Sequence, residues 1–114
     1  MNIKTGIDIV YIPRFEKTLK DNQVHFSQNV FCSKEWDGAS IEKLAGIFAA
    51  KEATMKALGI KPGKWLEICV EHVKSGKPFL SQFPQENKKQ RKLNHELSIS
   101  HDGKYAIANI VFYQ

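Results

Sequence analysis

The stretch from Ser40 to Leu58 constrains this chain more than any other, because it reads as a long helix with its own start and stop signals. Ser40 can cap the first turn, Gly59 can end the last, and Pro62-Gly63 breaks any continuation. Take about 100° per residue and set Phe48 at zero. Ile41 then falls at about +20°, Leu44 at about −40°, Ala45 at about +60° and Met55 at about −20°. Glu52 falls at about +40°, inside this apolar stripe, and Lys56 at about +80°. A carboxylate on a core-facing stripe must be paired, protonated or bound to a metal. The plainer alternative is a Glu52–Lys56 pair on the helix shoulder.

The remaining elements are placed around this helix. Residues 3–10 read as a strand, with Ile3, Thr5, Ile7 and Ile9 on one face and Lys4, Gly6, Asp8 and Val10 on the other. Pro13 can open a helix running to about Lys20. Asp21 to Phe31 is left open, and a short helix begins near Ser33. Residues 65–74 and Lys77 to Leu80 read as strands around the Ser75-Gly76 turn. Pro84 to Lys92 is polar and reads as helical, and it holds the basic run from Lys88 to Lys92. Residues 95–101 and 104–113 read as a hairpin closed by Asp102-Gly103. With few crossover units, this order predicts one α+β domain over residues 1–114, with a mostly antiparallel sheet and a long central helix.

Charge and cysteine usage narrow the function. Seventeen Lys and Arg against twelve Asp and Glu leave a net +5, which calls for an acidic partner: nucleic acid, a phosphorylated cofactor or an acidic protein. No segment approaches the ~20 apolar residues of a membrane helix. The first residues lack the apolar run of a secretory signal. Cys32 and Cys69 match neither a disulfide framework nor a metal pattern, and read as two thiols in a reducing cytoplasm. Trp36 and Trp65 read as core anchors, and His25, His72 and His95 show no ligand spacing.

Asp8 is the second carboxylate in an unexpected place. Aspartate is depleted in strands, and this one sits between Ile7 and Ile9. It is either a solvent-facing residue on the polar side of an edge strand or a functional group. Two oxygen ligands without His or Cys suit Mg²⁺, which keeps waters and completes its shell with phosphates. Lys51 and Lys56 could then meet phosphate oxygens. The residues alone thus point to a Mg²⁺-dependent site acting on a phosphorylated substrate. A basic nucleic-acid-binding module is the competing reading. It accounts for the charge but not for Asp8 and Glu52, which would repel phosphate without a metal.

Gly6-Ile7-Asp8-Ile9-Val10 with Arg14-Phe15, and Phe48-Ala49-Ala50-Lys51-Glu52-Ala53 continuing to Lys56-Ala57-Leu58-Gly59, resemble motifs of the holo-acyl-carrier-protein synthases. Gly76-Lys77-Pro78 and Ser98-Ile99-Ser100-His101-Asp102 match that family's later motifs, in order. These are small, single-domain 4′-phosphopantetheinyl transferases, so the resemblance implies transfer of the phosphopantetheine arm of coenzyme A to a serine of apo-acyl carrier protein. The other product would be 3′,5′-ADP. Carried onto this sequence, it implies Mg²⁺ on Asp8 and Glu52, coenzyme contacts from Lys51, Lys56, Gly59 and Lys61, and His101 on a phosphate or near the moved proton. Asp8, Glu52 and His101 would be the catalytic set. Glu52, a water on the metal or His101 could accept the serine proton. Arg14, with Lys17 and Lys20, would meet the carrier protein. The family implies a cytoplasmic homotrimer of fatty-acid biosynthesis, with coenzyme clefts between subunits and no nucleic-acid or membrane partner.

The chain also departs from the family pattern. Ile47 stands where the family usually has arginine, so one phosphate contact is lost and coenzyme A would either bind more weakly or use Lys61 or Lys64 instead. Phe31-Cys32-Ser33-Lys34-Glu35 replaces a Phe-Thr-x-x-Glu motif. Without the threonine cap that helix start should be weaker by about 0.5–2 kcal/mol, unless Ser33 takes over. These departures also admit a catalytically impaired structural homologue, against which intact Asp8, Glu52 and Lys56 argue.

Overall fold

A computed structural model describes residues 2–85 and 93–114. Strand β1, Ile3–Tyr11, runs into helix α1, Ile12–Asp21, followed by α2, Gln23–Asn29, and α3, Ser33–Trp36. The long helix α4 spans Ile41–Leu58. A 3₁₀ turn at Trp65–Glu67 precedes β2, Cys69–His72, and β3, Pro78–Gln82; β4, Asn94–Asp102, and β5, Tyr105–Tyr113, close the chain. All strand pairs are antiparallel, in a three-stranded sheet of order β1-β5-β4 and a separate β2-β3 pair. The expected α+β class with a long central helix is the fold observed. Among the described residues no helix is long and apolar enough to cross a membrane.

Helix α4 has the ends its sequence signals. Ser40 Oγ accepts from the Lys43 N–H at 3.2 Å, and Gly59 takes φ +65°, the left-handed conformation glycine adopts without strain. Its buried side matches the expected stripe only in part. Leu44, Ala45, Met55, Ile47, Ala50 and Thr54 are buried, whereas Ile41, Phe48 and Glu52 are only half-buried. The helix is packed on more than one side, against β1 and β5 and also against α1 and β2. Its many alanines permit that, and the Phe48–Glu52 edge is left at a rim.

The two faces of β1 are reversed from their hydrophobicity. Gly6 and Val10 are buried and Asp8 half-buried beneath α4, while Ile3, Ile7 and Ile9 are 60%, 55% and 61% exposed. Gly6 sets this arrangement: a Cβ there would lie 1.9 Å from the Ala53 carbonyl oxygen. Only a residue without a side chain lets strand and helix approach this closely. Asp8 therefore faces the helix, not solvent on the polar side of an edge strand.

Other boundaries also differ from expectation. The region left open holds α2, whose Phe26 packs edge-on against Phe15 at 5.9 Å. The strand expected over 65–74 is shorter, because its first residues form the 3₁₀ turn. The last hairpin pairs Asp102 with Tyr105, so its turn is Gly103-Lys104, with Gly103 at φ +57° in the first central position. The helix expected over 84–92 and the Lys88–Lys92 run fall largely or wholly outside the described residues.

Cys32 and Cys69 are not free thiols: they form a disulfide, with Cα atoms 6.0 Å apart and a sequence separation of 37. Glu35 explains the meeting. Its carboxylate accepts from the Cys32 N–H and the Val70 N–H, each at 2.7 Å, drawing the start of α3 onto β2. The glutamate half of the expected capping motif is thus present without its threonine. Closing a loop of this length contributes about 2–4 kcal/mol. Cys32→Ser/Cys69→Ser should therefore melt about 8–16 °C below the oxidised protein, at about 4 °C per kcal/mol. Identical melting curves in scanning calorimetry would show that the bond adds nothing.

Candidate active site

Asp8 and Glu52 reach the same cleft from different elements. Asp8 lies on β1 opposite Ala108 of β5, and Glu52 lies on α4. The cleft has a volume of about 400 Å³ and is lined by Asp8, Tyr11, Arg14, Phe15, Phe48 and Glu52. Lys56, one turn beyond Glu52, donates to Asp8 Oδ1 at 3.1 Å and to the Ile7 carbonyl at 3.0 Å. The shoulder pair is therefore Lys56–Asp8, not Lys56–Glu52. Lys56 is 58% exposed and Asp8 18%, so the bridge contributes at most about 1 kcal/mol. Lys56 can leave Asp8 for an anionic ligand at little cost.

Glu52 has a different environment. Burial pushes its carboxyl above the usual range, and the Asp8 charge adds to this. The Trp65 indole N–H, which donates to Glu52 Oε1 at 3.4 Å, and the Lys56 charge act the other way. Two neighbouring carboxylates at a cleft, one of them partly desolvated, form an arrangement that a cation relieves. Among the described residues no group of three or more His, Cys, Asp or Glu is placed to hold a metal ion. That donor set does not suit zinc, which takes three or four protein ligands. It fits Mg²⁺, which binds through one or two carboxylates plus waters and substrate phosphates.

Lys51 does not join this site. Its side chain is fully buried and pairs with Glu35 Oε1 at 2.7 Å. It also donates to the Trp65 carbonyl at 3.0 Å and to the Ile68 carbonyl. All three ammonium protons are used, so none is free for the expected phosphate contact. Burial lowers its pKa, while the Glu35 charge and hydrogen bond oppose that shift. Consecutive helix positions differ by about 100°, which separates buried Lys51 from rim-facing Glu52.

The other expected residues lie around the cleft or apart from it. Gly59 ends α4 and Lys61 is exposed in the following loop. Ile47 is buried, and Lys64 pairs loosely with Glu67 at 3.4 Å. Arg14 lines the cleft and lies over the Tyr11 ring at 5.4 Å. Lys17 and Lys20 share the exposed side of α1, Lys20 pairing with Glu16 at 3.6 Å. His101, on β4, meets the Glu42 carbonyl at 2.8 Å. Glu42 and Glu52 are roughly 15 Å apart along α4, and His101 does not line the cleft within one chain. Trp65, expected only as a core anchor, is the site neighbour the sequence reading missed. Its signal is chemical: an indole N–H needs an acceptor.

Comparison with known proteins gives the family. The family model described as the 4′-phosphopantetheinyl transferase superfamily matches residues 4–110. The holo-[acyl-carrier-protein] synthase of Trichlorobacter lovleyi is 38% identical, over 97% of this chain and 97% of that protein. The ACPS–CoA complex of Chronobacterium ammoniagenes superposes with a TM-score of 0.84 at 32% identity, covering 100% of this chain and 99% of that one. The Helicobacter pylori synthase in complex with coenzyme A gives a TM-score of 0.79 at 31% identity, covering 96% and 99%. The chain belongs to the 4′-phosphopantetheinyl transferase superfamily, as a member of its holo-acyl-carrier-protein synthases.

Proposed function

We propose that this chain, acting as one domain, transfers the 4′-phosphopantetheine arm of coenzyme A to a serine of an apo-acyl carrier protein. The carrying observation is that Asp8 and Glu52 meet at one cleft from β1 and α4, with Lys56 bonded to Asp8 at 3.1 Å. In the reaction the serine oxygen bonds to the phosphorus bearing pantetheine. The bond from that phosphorus to the bridging oxygen breaks, and 3′,5′-ADP leaves. Asp8 and Glu52 would hold Mg²⁺, which would supply charge neutralisation for the pyrophosphate. Lys56 shifts from Asp8 to a phosphate oxygen and meets charge that develops as the leaving group departs. Glu52 lies in the cleft, where it can accept the serine proton. Phe15 and Phe48 form an apolar wall that limits water.

The reading is tested by metal dependence of transfer. Chelation should abolish labelling of the carrier and added Mg²⁺ restore it; full transfer in excess chelator would remove the metal. Arg14, Lys17 and Lys20 present a basic edge on α1 to an acidic carrier surface. Arg14→Glu should raise KM for carrier about tenfold. An unaltered carrier KM in steady-state kinetics would sink the docking assignment.

A homotrimer with sites shared between subunits belongs to the same proposal. Ile3, Ile7 and Ile9 on β1, with Tyr105 and Ile107 on β5, leave an apolar sheet face open on the side away from α4. Such a contiguous patch marks an interaction surface. Coenzyme contacts absent from the single chain, His101 among them, would come from a neighbour. We assign the enzyme to the cytoplasm and to fatty-acid synthesis. Reductants there would open the Cys32–Cys69 bond, so the dithiol form must also be active.

A further inference from the structure

Trp65 is gripped at both ends by consecutive residues of α4. Its carbonyl accepts from Lys51 Nζ at 3.0 Å, and its indole Nε1–H donates to Glu52 Oε1 at 3.4 Å. The ring lies nearly parallel to Phe48, one turn before Glu52, with centroids 6.3 Å apart and planes 25° apart. His25 meets it edge-on at 6.5 Å. Among the described residues the indole is the one hydrogen-bond donor that Glu52 meets.

The backbone end is held rigidly. Lys51 is fully buried and Glu35 1% exposed, and Glu35 is itself fixed by the Cys32 and Val70 amides. A buried ion pair of this kind adds little net stability compared with apolar residues of the same size. Its consequence here is positional: it ties α3, α4, the 3₁₀ turn and β2 at one point, with the Trp65 carbonyl as one member. Tryptophan offers a donor and no acceptor, so its polar end can serve only an acceptor such as a carboxylate. Hydrogen bonds to an ionised acceptor are stronger than neutral ones, and bonds at catalytic groups are often long before substrate binds.

We propose that Trp65 is a positioning residue for Glu52. Its indole N–H holds Oε1, fixes the carboxylate rotamer, and leaves the second oxygen for the cation and the reacting groups. This rests on the phosphopantetheine-transfer reading above. Supporting residues of this kind typically change activity or metal affinity 10–100-fold when removed.

Trp65→Phe keeps an aromatic ring against Phe48 and deletes the indole N–H donor. It should lower kcat about tenfold and raise the Mg²⁺ concentration for half-maximal rate. Carrier KM should stay within twofold and the melting temperature within a few degrees. The chain has two tryptophans, so a ¹⁵N spectrum of the full protein without metal shows two indole N–H signals, one of which Trp65→Phe removes. In Glu52→Ala the Trp65 indole signal should move while that of Trp36 stays. A Trp65→Phe enzyme with wild-type kcat and Mg²⁺ dependence would overturn the positioning role. An unmoved Trp65 indole signal in Glu52→Ala would overturn the contact. Failure of the wild-type enzyme to transfer at all would instead remove the functional reading, while leaving the spectral result interpretable.

Discussion

Asp8→Ala and Glu52→Ala should each lower the transfer rate by about 10²–10³-fold or more, with the fold retained. The two changes act on one cleft but differ in their structural cost. Asp8→Ala releases the 58% exposed Lys56 from its bridge to the half-buried Asp8, so the stability loss stays at about 1 kcal/mol. Glu52→Ala removes a partly desolvated carboxylate and so relieves a cost; against that, the Trp65 indole loses its acceptor. Circular dichroism and melting temperature should therefore stay close to wild type in both. Asp8→Asn and Glu52→Gln preserve volume and remove charge. If charge on the cation and phosphates is what matters, they should be nearly as inactive as the alanine variants. Near-wild-type turnover in either alanine variant at ordinary Mg²⁺ would end the metal-site assignment.

The second large effect is expected at the opposite face of the sheet. Ile7→Asp with Ile107→Asp places two charges on the open apolar face, away from the cleft. Burying each such isoleucine in an interface is worth about 1.5–3 kcal/mol, and burying an unpaired carboxylate instead is strongly unfavourable. On the proposed shared site, light scattering should show monomers, and transfer should fall below detection because each cleft would lose its neighbour's wall. Ile7 is 55% and Ile107 36% exposed within the single chain, so the monomer should keep its melting cooperativity. An active monomer would refute the shared site.

Sequence reasoning reached α4 and its two carboxyl partners because those signals are local. A serine cap, a terminating glycine and an aspartate inside a strand each need only their neighbours. It misjudged what depends on distant chain. Alternation divides β1 into two faces but does not say which face meets the helix, and hydrophobicity favoured the isoleucines. The contact of Gly6 with the Ala53 carbonyl sets the outcome. Lys51 and Glu52 are adjacent in sequence, yet one is consumed by Glu35 in another helix and the other faces the cleft. The Cys32–Cys69 bond likewise depends on Glu35 reaching Val70. At the last hairpin, Asp102 pairs with Tyr105 rather than entering the turn, a one-residue difference in register.

The most direct measurement of the central claim is intact-mass analysis of a carrier protein after incubation with this enzyme, coenzyme A and Mg²⁺. The account predicts that the apo-carrier gains one phosphopantetheine arm and that 3′,5′-ADP appears in equal amount. A carrier whose acceptor serine is changed to alanine should remain unmodified. No mass gain on several apo-carriers, from an enzyme shown to be folded and oligomeric, would contradict it.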